Sequence, residues 1–511
     1  MGLAGVASRN ISKGERQLAR ESGATWDRLP MWWHEIQVSD SQLHPEVYDD
    51  VLAREPLTYV LAVLTSRYPR AVDLDAACVR AVRAARKTGT LPPEQYGDGK
   101  YGFCVTYKGY DYDYGSNSFR HCEPPLLEDG TPNPANPWAV FVYTTTQYYR
   151  DRVHAWEIFN EIEPGFESGW DPDEGNTPIT ITYLPPPEVY AALIRDAIVI
   201  LQQTNPGDPI VLGSPLTEDA WALAKGSDGS DRSWYNKVLQ ELRWALLSAL
   251  GLHSYGEPRL SYELITRLQH KTPFPFWLTE TGLHVGQTDW NGNCPSELPC
   301  GSEEEQAAYV VQQYAWALRA FQETGRPGKV FHFAFKDLDL PWGLLQGSEP
   351  RASYYAFQFI VRLLNHAAFD SFEKRERYVR MTFVKSGGRI SLLWATKKAT
   401  EPVLAAVPAS TPGAKAILYS QTGAMIRSVT AAEGNFVIYL PPPTHPKGTG
   451  IDLKDTTSGD PNDCMIGGPV FILVETTASA PPTGSASVIC QNGRAVGTDL
   501  WAYDADSGLA S

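Results

Sequence analysis

Apolar runs of strand length alternate with amphipathic runs of helical length from the start of the chain to about residue 366. Residues 13–22 carry a helical pattern, and Ala24 to Trp33 reads as a strand with its exit loop. A helical patch at 45–54 precedes the apolar run 57–64. A long irregular insertion follows, with a short helical run at 73–87 and a Gly/Tyr/Asp-rich stretch at 95–118. Helical runs at 138–150, 187–204, 231–248, 260–269, 303–324 and 352–365 then alternate with apolar runs at 153–160, 209–213, 251–255, 275–280 and 329–335. Such alternation predicts a parallel sheet. Seven strands follow Ala24, and a first strand within residues 2–8 makes eight, the count of a (β/α)8 TIM barrel. A doubly wound sheet would want a Gly-rich first turn, and no G-x-G-x-x-G occurs.

Beyond residue 376 the pattern changes to short strands and turns: 377–384, 389–394, 403–407, 416–419, 435–440 and 470–474. This predicts a C-terminal antiparallel β-sandwich. Residues 477–511, rich in Ala, Ser, Gly, Thr and Pro, read as a linker or frayed tail. The expected division is a barrel over 1–370, a β-sandwich over 371–476 and a tail over 477–511.

The net charge of −15 argues against nucleic acid as a partner, since a polyanion binder usually shows a basic face. No run of eighteen apolar residues exists, so no membrane-spanning helix is expected. With 15 Trp and 25 Tyr the chain holds more aromatic rings than a core needs, and ring faces make platforms for sugars. The seven cysteines include no CxxC pair and lie near no His cluster, so zinc is not expected. Cys294 and Cys300 enclose a short Pro-rich loop, and Cys104 and Cys122 flank the Tyr/Gly/Asp-rich stretch. Both pairings suggest disulfides and an extracellular or cell-envelope location. Free thiols in the cytoplasm are the alternative, and no signal-peptide pattern is visible at Met1-Gly2-Leu3. Asp171-Pro172-Asp173-Glu174 and Asp289-Trp290-Asn291 have calcium-like spacing without the closing bidentate Glu, so neither metal nor cofactor is expected.

In a barrel, reactive groups sit at the C-terminal ends of strands. Two carboxylates fall there. Glu161 closes the fourth strand in Trp156-Glu157-Ile158-Phe159-Asn160-Glu161-Ile162-Glu163-Pro164, and Glu280 closes the seventh in Trp277-Leu278-Thr279-Glu280-Thr281-Gly282. A carboxylate ending an apolar strand costs desolvation energy. Facing each other across a barrel mouth, two of them form the acid/base and nucleophile pair of a retaining glycosidase.

These two stretches resemble the acid/base and nucleophile motifs of the clan A retaining glycoside hydrolases. His253-Ser254-Tyr255-Gly256 after the sixth strand resembles family 39, which holds β-xylosidases, α-L-iduronidases and exopolysaccharide endoglycosidases; family 5 is the nearest rival. The resemblance implies a polysaccharide or oligosaccharide substrate and a set of roles. Glu161 would be the acid/base and Glu280 the nucleophile. Asn160 would bind the sugar 2-hydroxyl, and Arg28 would lie beneath the nucleophile and keep it ionised. Tyr255 would donate to Glu280, His253 would line the same wall, and Trp342 would floor the sugar subsite. Glu157, four residues before Glu161, reads as a lower-barrel residue or a salt-bridge residue. The sequence departs from the family at its faint first strand and at Ala249-Leu250-Gly251-Leu252, where an acidic residue is usual. Because two close carboxylates cannot both be ionised cheaply, Glu161 is expected above the ordinary carboxylate pKa. A non-catalytic carbohydrate-binding barrel is the competing reading.

Overall fold

The computed structural model describes residues 1–6, 11–39, 42–65, 72–74, 105–107, 110–113, 118–121, 123–161, 165–171, 177–183, 187–215, 220, 224, 234–242, 246–255, 257–286, 300–338, 341–386, 388–396, 398–443, 468–476, 486–491 and 494–500. Most of the helical run expected at 73–87, both proposed cysteine pairings, most of the two calcium-like segments and Glu163 lie outside them.

Eight strands close into a parallel barrel: β1 (Gly2–Ala4), β2 (Trp26–Trp32), β3 (Tyr59–Thr65), β4 (Ala155–Ile158), β5 (Ile210–Leu212), β6 (Ala249–His253), β7 (Phe276–Thr281) and β8 (Val330–His332). A helix follows each: α1 (Lys13–Glu21), α2 (Asp49–Ala53), α3 (Pro137–Tyr149), α4 (Pro187–Thr204), α5 (Trp234–Glu241), α6 (Pro258–Leu268), α7 (Glu303–Thr324) and α8 (Ala352–Leu364). This is the (β/α)8 barrel that the alternation predicts. Its strands are apolar runs because both faces are covered, one by side chains inside the barrel and one by helices. Local signals set the helix ends. Ser12 with Glu15, and Ser302 with Glu305, form reciprocal capping boxes at the starts of α1 and α7. Asn136 caps α3 just before Pro137. Gly325 ends α7 at φ 67°, the left-handed region that favours glycine.

Within the barrel, β6 is displaced and α5 shortened against the sequence expectation. The sixth strand lies two residues earlier than predicted, so Tyr255 sits beyond its end. The register between β6 and β7 shifts at Leu252/His253, which breaks the period of two on which the boundary was read. The helix expected over 231–248 is the shorter α5, since Ala249 already belongs to β6.

C-terminal to the barrel, β9 (Ala368–Lys374), β10 (Tyr378–Lys385), β11 (Gly388–Ala395), β12 (Val403–Pro408), β13 (Lys415–Ser420), β14 (Met425–Thr430), β15 (Asn435–Leu440) and β16 (Phe471–Thr476) form antiparallel sheets. Six of them make one sheet in the order β9-β10-β11-β16-β13-β14, and β12 pairs with β15. Met381, Phe383, Leu392 and Ile472 of the larger sheet join the core that the barrel helices build. Leu393, Leu418 and Leu473, on its other face, pack with Ala405, Phe436 and Ile438 of the β12–β15 pair. β9 straddles the boundary expected at 370/371. The expected low-complexity tail contains a hairpin, Ala486–Gln491 with Arg494–Leu500. Composition hid it, yet the intervening Asn492-Gly493 is a strong two-residue hairpin signal. Among the described residues no helix is long and apolar enough to cross a membrane.

Candidate active site

The strands alternate in and out of the barrel, and the inward positions stack in layers. Trp26, Leu61, Ala155, Val211, Ala249, Trp277 and Phe331 fill the lower interior. Two residues further along β2 and β4, Arg28 and Glu157 occupy the next layer. Both are buried, and they meet as a fork: Arg28 Nε donates to Glu157 Oε2 at 2.6 Å and Nη2 to Oε1 at 3.0 Å. The remaining Arg28 contacts point upward. Nη1 donates to Glu280 Oε1 at 2.5 Å, and Nη2 also donates to Asn160 Oδ1 at 2.6 Å. Glu157 is thus the salt-bridge residue that its spacing suggests.

β4 ends in an unusual turn. Phe159 takes φ 67° and Glu161 φ 22°, both in the left-handed region that side chains disfavour. The Phe159 ring stacks on Trp138 of α3 at 4.7 Å and lies 5.1 Å from Tyr190 of α4. Anchored in the helix layer, Phe159 twists the chain so that Asn160 and Glu161 rise at the barrel mouth. Gly213 makes room for this turn: a Cβ there would stand 2.1 Å from the Phe159 carbonyl oxygen.

β6 and β7 supply the opposite wall. The Tyr255 hydroxyl donates to Glu280 Oε2 at 2.5 Å. His253 Nδ1 lies 2.7 Å from Glu161 Oε1 and 3.6 Å from Glu280 Oε2. One donor atom from each of Glu161, His253 and Glu280 lies within 4.8 Å of the others, so the two carboxyl groups share one small space. A divalent ion could also bridge that trio, but each member is already hydrogen-bonded to another site residue. Trp342, in the loop after β8, is 6% exposed; its ring meets Tyr255 edge-on at 5.1 Å and His284 at 5.3 Å. All seven residues singled out in the sequence, Arg28, Asn160, Glu161, His253, Tyr255, Glu280 and Trp342, therefore gather at one end of the barrel.

The charge arrangement corrects one expectation. Burial alone would raise the Glu161 pKa, but the hydrogen bond from His253, with the charges of His253 and Arg28, outweighs it and holds the carboxyl below its ordinary value. Burial would lower His253, yet Glu280 and Glu161 together hold the imidazole above its ordinary value. The expectation set the two carboxylates against each other and gave Arg28 and Tyr255 to Glu280. It could not see an imidazole placed on Glu161 from a position 92 residues away.

No protein-family model matches the chain, and no curated protein does. Among solved structures, the chain is similar to a family 39 glycoside hydrolase from the gut symbiont Bacteroides cellulosilyticus WH2, with 16% identity and a TM-score of 0.56 over 93% of this chain and 80% of that one. A GH30 endoxylanase from Clostridium papyrosolvens C71 overlays with 10% identity and a TM-score of 0.47 over 93% and 95% of the two chains. A β-glucosidase from Thermotoga maritima does so with 12% identity and a TM-score of 0.41 over 69% and 86%. The first of these likenesses shows a shared fold, one that glycoside hydrolases use.

Proposed function

We propose that the protein is a retaining glycoside hydrolase of clan A, most like family 39, acting on a polysaccharide or oligosaccharide. The observation that carries this reading is the closeness of Glu161 and Glu280, with donor oxygens within 4.8 Å of one another. Retention needs carboxyl groups about 5–5.5 Å apart, whereas inversion needs room for a water between them.

Glu280 is the nucleophile. Arg28 and Tyr255 each hold one of its oxygens, which fixes the carboxylate for attack on the anomeric carbon. Glu161 is the acid/base. It protonates the glycosidic oxygen as the bond to the leaving group breaks, drawing on the proton it shares with His253. It then takes a proton from water as the glycosyl–Glu280 ester is hydrolysed. Asn160 commits its oxygen to Arg28 and keeps its amide nitrogen to donate to the sugar 2-hydroxyl. Trp342 walls the sugar subsite beside Tyr255. The barrel is the catalytic unit, the C-terminal sheets brace it, and an extracellular setting suits Cys294 and Cys300.

A panel of aryl glycosides and polysaccharides identifies the substrate, and proton NMR of the first-formed sugar then reads the stereochemistry. We expect the starting anomeric configuration. An inverted first product defeats double displacement, and a protein that binds glycans from the panel but cleaves none is the non-catalytic relative instead.

A further inference from the structure

α7 carries polar side chains on its buried face. Gln306, Tyr309 and Gln313 are at most 1% exposed, and their spacing of three and four residues aligns them along one side of the helix. A helix facing a barrel is expected to be apolar there, because a buried polar group costs free energy unless it is hydrogen-bonded. The partners of Gln306 and Tyr309 lie at the end of β7 and on the loops of the site, and that of Gln313 lies in the first turn of α6.

Gln306 Nε2 donates to the Leu283 carbonyl at 2.9 Å and to the Trp342 carbonyl at 3.1 Å. One amide group therefore ties the loop after β7 to the loop after β8. Its orientation is set by Ser353, whose hydroxyl donates to Gln306 Oε1 at 2.5 Å. The Tyr309 hydroxyl lies 2.6 Å from the Thr281 hydroxyl and 3.4 Å from the Ser254 carbonyl. Those two residues adjoin Glu280 and Tyr255 in the chain. Gln313 Nε2 donates to the Ser261 hydroxyl at 2.5 Å, and Ser261 in turn donates to Ser254 Oγ at 3.0 Å. The helix is itself secured at its first turn. Gln421 of the C-terminal sheets donates to the Glu304 carbonyl at 2.9 Å, and Arg351 Nε lies 3.2 Å from Glu303 Oε1.

We propose that the Gln306–Tyr309–Gln313 stripe of α7 positions the active site, holding the end of β7 that carries Glu280 and the loops that carry Tyr255 and Trp342 in mutual register, and that the C-terminal sheets brace the helix through Gln421. The three are positioning residues; none of them touches the site carboxylates. The inference rests on the glycosidase reading above.

Two substitutions test it. Gln306→Glu keeps the shape and removes both N–H donors; Tyr309→Phe removes only the hydroxyl. Gln306→Glu should raise KM about tenfold with kcat within about threefold, and Tyr309→Phe should lower kcat about tenfold. The decisive readout is a double-mutant cycle. In a Tyr255→Phe background, Tyr309→Phe should cost little more, because its effect passes through Tyr255. In a Trp342→Phe background, Gln306→Glu should likewise add little. Ser353→Ala, which frees the amide without adding charge, covers a Gln306→Glu protein that fails to fold. Additive effects in both cycles, or unchanged kcat and KM in the single variants, overturn the proposal. A 5-fluorotryptophan resonance assigned to Trp342 by its loss in Trp342→Phe gives a reading independent of turnover. It should move in Gln306→Glu and Ser353→Ala, and an unmoved resonance also counts against the clamp. A wild type that cleaves no glycoside would defeat the functional reading and leave this spectroscopic test standing.

Discussion

Arg28 grips Glu157 through two parallel hydrogen bonds and so presents Nη1 to Glu280 in a single orientation. The carboxylate below thus aims the cation that holds Glu280. Lysine carries the same charge but no planar fork. Arg28→Lys is expected to lower kcat by roughly 10²-fold while the protein still folds, since the buried charges keep a cationic partner. Steady-state kinetics and a melting curve check both halves. Unchanged kcat would remove Arg28 from the site.

The Glu161–His253 pair governs the basic side of the pH profile. His253 is held above its ordinary value and Glu161 below, so the proton the pair loses last sits on the imidazole. The basic limb of kcat/KM should therefore fall above about pH 6.5. In His253→Gln the limb should move down toward the carboxylate range, since a lone Glu161 becomes the only donor. Glu161→Ala should lose the limb altogether and keep partial activity on aryl glycosides with good leaving groups. A basic limb that stays put in His253→Gln contradicts the pairing.

Gly213 packs against the turn that presents Glu161. An alanine Cβ would press on the Phe159 and Ile158 carbonyl oxygens at 2.1 and 2.7 Å, and the backbone that presents Glu161 would have to move. Gly213→Ala should lower kcat/KM at least about tenfold. Gly207→Ala is the control: its φ is 97° but nothing lies within 4 Å, so it should cost about 1 kcal/mol of stability without touching activity.

Buried Asp27 and half-buried Glu55 form a carboxyl pair outside the barrel interior. Burial first, then the charge of Asp27, pushes the Glu55 pKa up to about 10. The sign follows directly. The folded chain holds a proton that the unfolded chain releases near its ordinary value of 4.5, so stability falls as pH rises from there toward 10. Glu55→Gln copies the protonated form, with an N–H to offer Asp27 and an oxygen for the Leu57 amide. It should raise Tm by at least about 2 °C at pH 8 and leave it nearly unchanged at pH 4. Thermal melts across that range decide it, and equal effects at both pH values would refute the shared proton.

The barrel was legible because its strands are apolar runs whose periodicity survives folding. Elements whose periodicity does not survive were missed. β9 places Phe369 and Phe372, three residues apart, against the same Arg319 guanidinium. A register shift between Phe369 and Ser371 makes that possible and erases the alternation that marks a strand. β14 is mostly exposed and offers no alternation to read. At the site, motif residues at strand ends were visible one at a time. The resemblance supplied two of the links, from Arg28 and Tyr255 to Glu280, whereas the Arg28–Glu157 fork and the His253–Glu161 contact were not visible, because they join residues 129 and 92 positions apart. The stripe on α7 left a faint trace, polar Gln306 and Gln313 among apolar neighbours, but its partners lie on four other segments.

The aromatic filling beneath Arg28 gives the chamber around Glu161 and Glu280 a closed floor. Trp26, Trp277 and Phe331 close the floor, and the Lys329 ammonium covers the Trp26 and Trp277 rings at 4.3 and 4.9 Å. The Phe331 ring leaves no space for a side chain at Gly2, where a Cβ would come within 2.4 Å of it. Among the described residues, this packed floor separates Glu280 from the far end of the barrel. In a double displacement, the attacking water must arrive through the opening by which the first half of the cut chain departs. Departure therefore comes before entry, and an acceptor sugar lingering in that doorway would compete with water for the same glycosyl ester.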